Sequence, residues 1–243
     1  MKYCYSALLA LLFSPFIMAQ GGNEDPQFKA SPDLKIAHTS VHLDDRLEQL
    51  VFSIEVEGKA GVSVPKPVGQ LDGAPVLGYV FPTSLKATDV GFSDTEGIVA
   101  LALTSHPDFD DTPLWDEDND SDYANDGIIW HPHWVVLVED KRVAGGLSVK
   151  QFKADDKTVT LPPTHPGMPM YMDSPGFPVI TKEKTIRVVV PLYRMNFQTD
   201  FKFDAVAAYM QVNASKADLP MLGVYSVYSV ASGNLSLPYQ VSK

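Results

Sequence analysis

Leu50-Val51-Phe52-Ser53-Ile54-Glu55-Val56-Glu57 sorts its side chains by parity. Leu50, Phe52, Ile54 and Val56 fall on one side, and Val51, Ser53, Glu55 and Glu57 on the other. Successive side chains of an extended chain point to opposite faces, so this run predicts a strand with one face in a core. Similar β-like runs lie at Lys35–His42, Val76–Phe81, Ile98–Thr104, Ile128–Val138, Leu147–Phe152, Thr158–Leu161, Thr185–Leu192, Phe203–Val212 and Gly223–Ala231. The breaks between them hold Gly, Pro, Asp and Asn, the residues that turns require. Nineteen prolines and sixteen glycines spread along the chain argue against long helices. A short helix fits only near Asp44–Leu50. The expectation is an all-β protein: a single antiparallel β-sandwich, jelly-roll-like, with long irregular loops.

The amino terminus reads as an export signal. Met1-Lys2 precedes a largely apolar run to Met18, and Ala19-Gln20-Gly21-Gly22 supplies a small-residue cleavage region. That run is under ~18 residues, too short to favour a membrane span. Residues 1–19 are therefore expected to be a signal peptide, 20–34 a disordered leader, and 35–243 the β-sandwich domain. The destination is periplasmic or secreted. The single cysteine, Cys4, lies in the signal, so the mature domain must hold together without disulfides. A net charge of −11 argues against nucleic acid or an anionic membrane surface as partner.

Much of that charge is local. Nine carboxylates lie between His106 and Asp126 with no Lys or Arg among them. Like charges at this density repel unless a cation or open solvent relieves them. Asp118, Asp120 and Asp122 alternate and Asp126 follows, a spacing able to wrap hard oxygens around calcium. Asp116 is a further candidate. The segment resembles calcium loops of the EF-hand type, with Asp118, Asp120, Asp122 and Asp126 on ligand positions one, three, five and nine. It departs from that pattern at Tyr123, where Gly belongs, and at Ile129, where the bidentate Glu belongs. The resemblance implies a structural calcium ion; the plain alternative is a solvated acidic loop.

Trp130-His131-Pro132-His133-Trp134 then enters the strongest strand in the chain. Residues two apart share a face, so His131 and His133 point together and away from Trp130 and Trp134. Two imidazoles so placed can converge on copper or zinc, with His106 as third ligand if it lies on the neighbouring strand. The alternative is that both rings hydrogen-bond to nearby carboxylates. The distances from these histidines to Gly127 and Glu139 do not match the cupin metal motif. Met168, Met170 and Met172 also alternate, with His165 just before them. They read either as soft copper ligands or as adaptable gap-fillers.

No nucleophile elbow, His-Glu-x-x-His, phosphate loop or haem-attachment motif is present. The expected function is therefore binding rather than catalysis: an exported metal-binding β-sandwich with a calcium-type acidic loop. Two alternatives stand beside it. One is a copper or zinc protein built on the His-x-His strand. The other is a carbohydrate- or small-ligand-binding module that stacks its ligand on Trp115, Trp130 or Tyr123.

Overall fold

The computed structural model describes residues 28–66, 71–106, 121 and 129–243. The signal region lies outside them. Thirteen strands are described: β1 Ile36–Asp44, β2 Gln49–Val56, β3 Pro75–Pro82, β4 Ile98–Ser105, β5 His131–Glu139, β6 Leu147–Val149, β7 Met172–Asp173, β8 Val179–Lys182, β9 Thr185–Pro191, β10 Lys202–Phe203, β11 Val206–Val212, β12 Leu222–Val230 and β13 Tyr239–Gln240. Their ladders are antiparallel throughout. No helix among the described residues is long and apolar enough to cross a membrane.

Eleven of the strands form two layers, and β10 and β13 pair as a separate two-stranded sheet. One layer is a four-stranded sheet in the order β1-β2-β9-β8. The other runs β4-β3-β11-β12-β6-β5, and β5 pairs back onto β4 to close a six-stranded barrel. β7 adds to the side of β5 away from β4. The all-β class is as the alternation predicts, and the second layer of the expected sandwich is the wall of a barrel.

Period-two alternation gives this protein two cores. Leu50, Phe52, Ile54 and Val56 of β2 face the outer wall of the barrel, where Tyr79, Phe81, Leu101, Leu103 and Trp134 meet them. Phe52 is central: its ring lies 5.3 Å from Phe81 and 6.3 Å from Trp134, both edge-on. Emptying such a position costs about 3–5 kcal/mol. The opposite parity of the same barrel strands fills the interior with Val76, Val80, Ala100, Ala102, Val135, Ala208 and Met210. A six-stranded barrel is narrow, which explains the small residues. At Gly78 an added Cβ would stand 2.6 Å from Met210 Cε.

Several local expectations change. Asp44–Leu50 is a hairpin turn, not a helix: Asp44 Oδ1 accepts from the backbone N–H groups of Arg46 and Leu47 and so competes with helical bonding. Thr158–Leu161 forms no strand; Thr160 reaches a partner only at Ser93, which donates to its carbonyl at 2.8 Å. The run Phe203–Val212 divides at Asp204 and Ala205 into β10 and β11. The expected leader is folded from Phe28 onward. Phe28 and Leu34 are buried, and Ser31 caps a 3-10 turn at Pro32–Leu34.

Candidate metal centre

The inward parity of β4 runs Ala100, Ala102, Thr104 and on to His106, just past the strand end. β5 contributes His131, His133 and Val135 to the same interior. The two strands pair antiparallel, with Thr104 opposite His131 and Ala102 opposite His133. Placing His106 two residues beyond Thr104 therefore brings its ring up to His131. Pro132 lies in this ladder opposite Leu103, where β5 is flanked by β4 alone, since β7 pairs only from Trp134 onward. A missing N–H is tolerated at such a half-edge.

His106, His131 and His133 are all buried, and one ring nitrogen from each lies within 4.8 Å of the others. His131 Nε2 stands 2.8 Å from His106 Nε2 and 3.3 Å from Thr104 Oγ1. His131 Nδ1 lies 2.9 Å from the carbonyl oxygen of Ile129. A carbonyl only accepts, so Nδ1 carries the proton. Burial, then the two neighbouring imidazoles, push the His131 pKa well below its ordinary value. The ring is therefore neutral near pH 7, with a bare Nε2 turned toward the cluster. His133 Nδ1 lies 3.0 Å from Ser174 Oγ. The cluster can hold a metal ion through three imidazole nitrogens.

The methionines belong to the same place. A cavity of about 20 Å³ is walled by His106, His133, Met168, Met170 and Met172, with Val76 and Val212 among its apolar neighbours. That is room for a single ion or one water, for which ~10–15 Å³ suffices. The same segment continues to Ser174, so it offers both the thioethers and the hydroxyl on His133. His165 does not join them. It is exposed, and its Nδ1 accepts from the Gly167 N–H at 3.0 Å.

The structure thus unites His106, His131 and His133. Asp116, Asp118, Asp120, Asp122 and Asp126 lie outside the described residues, as do Trp115 and Tyr123. Trp130 is buried, tilted against Tyr79 at 4.7 Å, and its Nε1 donates to the Gly61 carbonyl. That burial counts against Trp130 as a stacking platform for sugar. Ser174, Thr104 and the Ile129 carbonyl were not singled out from the sequence. The Met172-x-Ser174 spacing is the one local signal that places Ser174 on the methionine side.

No protein-family model, no curated protein and no solved structure matches the chain.

Proposed function

We propose that this is an exported metal-binding protein that holds one late transition-metal ion, copper or zinc, at His106, His131 and His133. The observation that carries this reading is the convergence of three buried imidazoles within 4.8 Å on a largely apolar barrel interior. The Ile129 carbonyl, Thr104 and Ser174 lie within hydrogen-bond distance of these rings and hold them in place in that interior. Nitrogen donors favour copper and zinc over calcium and magnesium. The cavity of about 20 Å³ is too small for an organic substrate, which supports storage or carriage of the ion rather than catalysis.

The test is elemental analysis of protein exported natively and purified without chelator. Stoichiometric copper or zinc is expected, and a His131→Ala, His133→Ala double variant should carry none. Metal retained by that variant, or absent from both proteins after loading, overturns the reading.

Calcium binding by the acidic segment is a second and separable proposal, supported by its nine carboxylates and by the Asp118, Asp120, Asp122, Asp126 spacing. Its test is the melting temperature with and without added calcium in the His131→Ala, His133→Ala background. A calcium-dependent rise supports the acidic site, and an unchanged melt overturns it.

A further inference from the structure

Building on the histidine centre, we propose that its cargo is copper(I), bound in preference to copper(II) and zinc(II), and that Met168, Met170 and Met172 supply the selectivity. Among the described residues, the donors at the site are imidazoles and thioethers. His106, His131 and His133 offer imidazole nitrogens, and the cavity beside them is walled by the three thioethers and apolar side chains. Among the described residues lining that cavity there is no carboxylate, thiolate or cationic group.

Two physical terms then act in the same direction. The first is desolvation. The self-energy of an ion in a low-dielectric interior grows as the square of its charge, so a divalent ion pays roughly four times what a monovalent ion pays. Imidazoles and thioethers bring no negative charge to offset it, so at these donors the divalent ion is penalised. The second is softness. Thioethers bind copper(I) well and contribute little to zinc(II) or copper(II), which prefer imidazole, carboxylate and water. Copper(I) also needs no bound water beside such donors, whereas zinc(II) and copper(II), which gain little from thioethers, would carry water into an apolar space.

The methionines are graded along the chain. Met170 and Met172 are buried, while Met168 is partly exposed. A soft donor at the open side and two within would suit an ion that arrives from another soft ligand and leaves to one. No electron transfer is required, because copper(I) enters and leaves in one oxidation state.

The experiment measures affinities by competition. Copper(I) is titrated anaerobically against a bathocuproine chelator, and copper(II) and zinc(II) against aminocarboxylate chelators. The full exported chain is used, together with a Met168→Leu, Met170→Leu, Met172→Leu variant; Leu is near in volume to Met and should leave the fold intact. Copper(I) should bind at least about 100-fold more tightly than copper(II) or zinc(II), and the variant should lose at least about 10-fold for copper(I) alone. Equal or tighter binding of either divalent ion overturns the proposal and leaves the histidine centre standing. An unchanged copper(I) affinity in the folded variant overturns the role of the methionines. Should the variant not fold, copper-edge X-ray absorption of the wild-type copper(I) protein decides that role: sulfur in the first shell supports it, and nitrogen alone overturns it. Binding of none of the three ions removes the histidine centre itself.

Discussion

His131 Nε2 and His106 Nε2 stand 2.8 Å apart although 25 residues separate them in the chain. Two ring nitrogens at that distance share one proton between them. Since His131 keeps its proton on Nδ1 against the Ile129 carbonyl, His106 is the donor in the metal-free protein. Coordination of an ion through the same Nε2 would require His106 to move its proton to Nδ1. Long-range nitrogen-15 NMR should show the His131 tautomer unchanged by zinc and the His106 tautomer switched.

The depressed pKa of His131 also makes metal-free stability depend on pH. A group that resists protonation when folded binds fewer protons in the native state than in the unfolded state. Its contribution is fully present above the unfolded value of about 6.5 and is lost as pH falls below it toward the folded value. Urea midpoints measured at steps from pH 7.5 to 5 should fall through the lower part of that range. A His131→Gln variant should show a shallower fall; an equal slope would remove His131 as the cause.

Ser174 Oγ stands 3.0 Å from His133 Nδ1 and so positions a ring of the candidate centre. Removing the hydroxyl frees the His133 ring at Nδ1, and loss of such an outer partner weakens metal binding by about 10–100-fold. Ser174→Ala should therefore lower affinity while the metal-free melt stays close to wild type, and Ser174→Thr should restore part of it. Competition titration and calorimetry on the same samples separate the two effects.

The barrel closes over a thin seam. β12 meets β6 at one pair, Gly223 opposite Ser148, and the preceding turn approaches β12 through Gly145, whose N–H donates to the Val224 carbonyl at 2.9 Å. An added Cβ on Gly145 would stand 2.6 Å from that carbonyl oxygen, which backbone cannot easily yield. Gly145→Ala should destabilise the protein by about 1–3 kcal/mol. It should also weaken metal binding, since the histidines depend on barrel closure. Chemical denaturation and metal titration read the two results.

Asp140 ties the same turn together. Its carboxylate accepts from Arg142 Nε at 2.9 Å, Arg142 Nη2 at 2.6 Å and Ser148 Oγ at 2.8 Å. The Arg142 hydrogen bonds lead in holding its pKa down to about 2. Because the folded value is depressed, this stability is present above the unfolded value of 3.8 and is lost as pH falls toward 2. The half-exposed Arg142 tempers the gain, so Asp140→Asn should cost about 1–2 kcal/mol at pH 7 and much less at pH 2. Equal costs at both pH values would contradict this account.

Much of the strand content was legible because alternation is a local property. Leu50 through Val56 mark β2 without reference to any other part of the chain. The short strands were not: β7, β8, β10 and β13 hold two to four residues each, too few for a period to show. The barrel was also hidden. Gly78, Ala100, Ala102 and Ala208 are small because the interior is narrow, yet small residues at alternate positions look the same on any crowded strand. The turn at Asp44–Leu50 misleads because Asp44 can cap a helix or a turn, and hairpin pairing of β1 with β2 decides between them.

The same division runs through the candidate site. That His131 and His133 share a face follows from the two-residue repeat of an extended chain, so the sequence by itself determined it. Met168, Met170 and Met172 lie in a bent segment closed by Met170 N–H to Met168 O and Met172 N–H to Met170 O hydrogen bonds, and their common side was not determined that way. Bringing His106 to the other two histidines depended on which strand became the neighbour of β5 and in what register. That choice is made by the packing of six strands into one closed wall, a non-local balance that no short stretch encodes. Laying the methionines against the histidines, and burying the group in an apolar interior, came from the same closure. Only the tertiary structure decided that two separate motifs form one cavity.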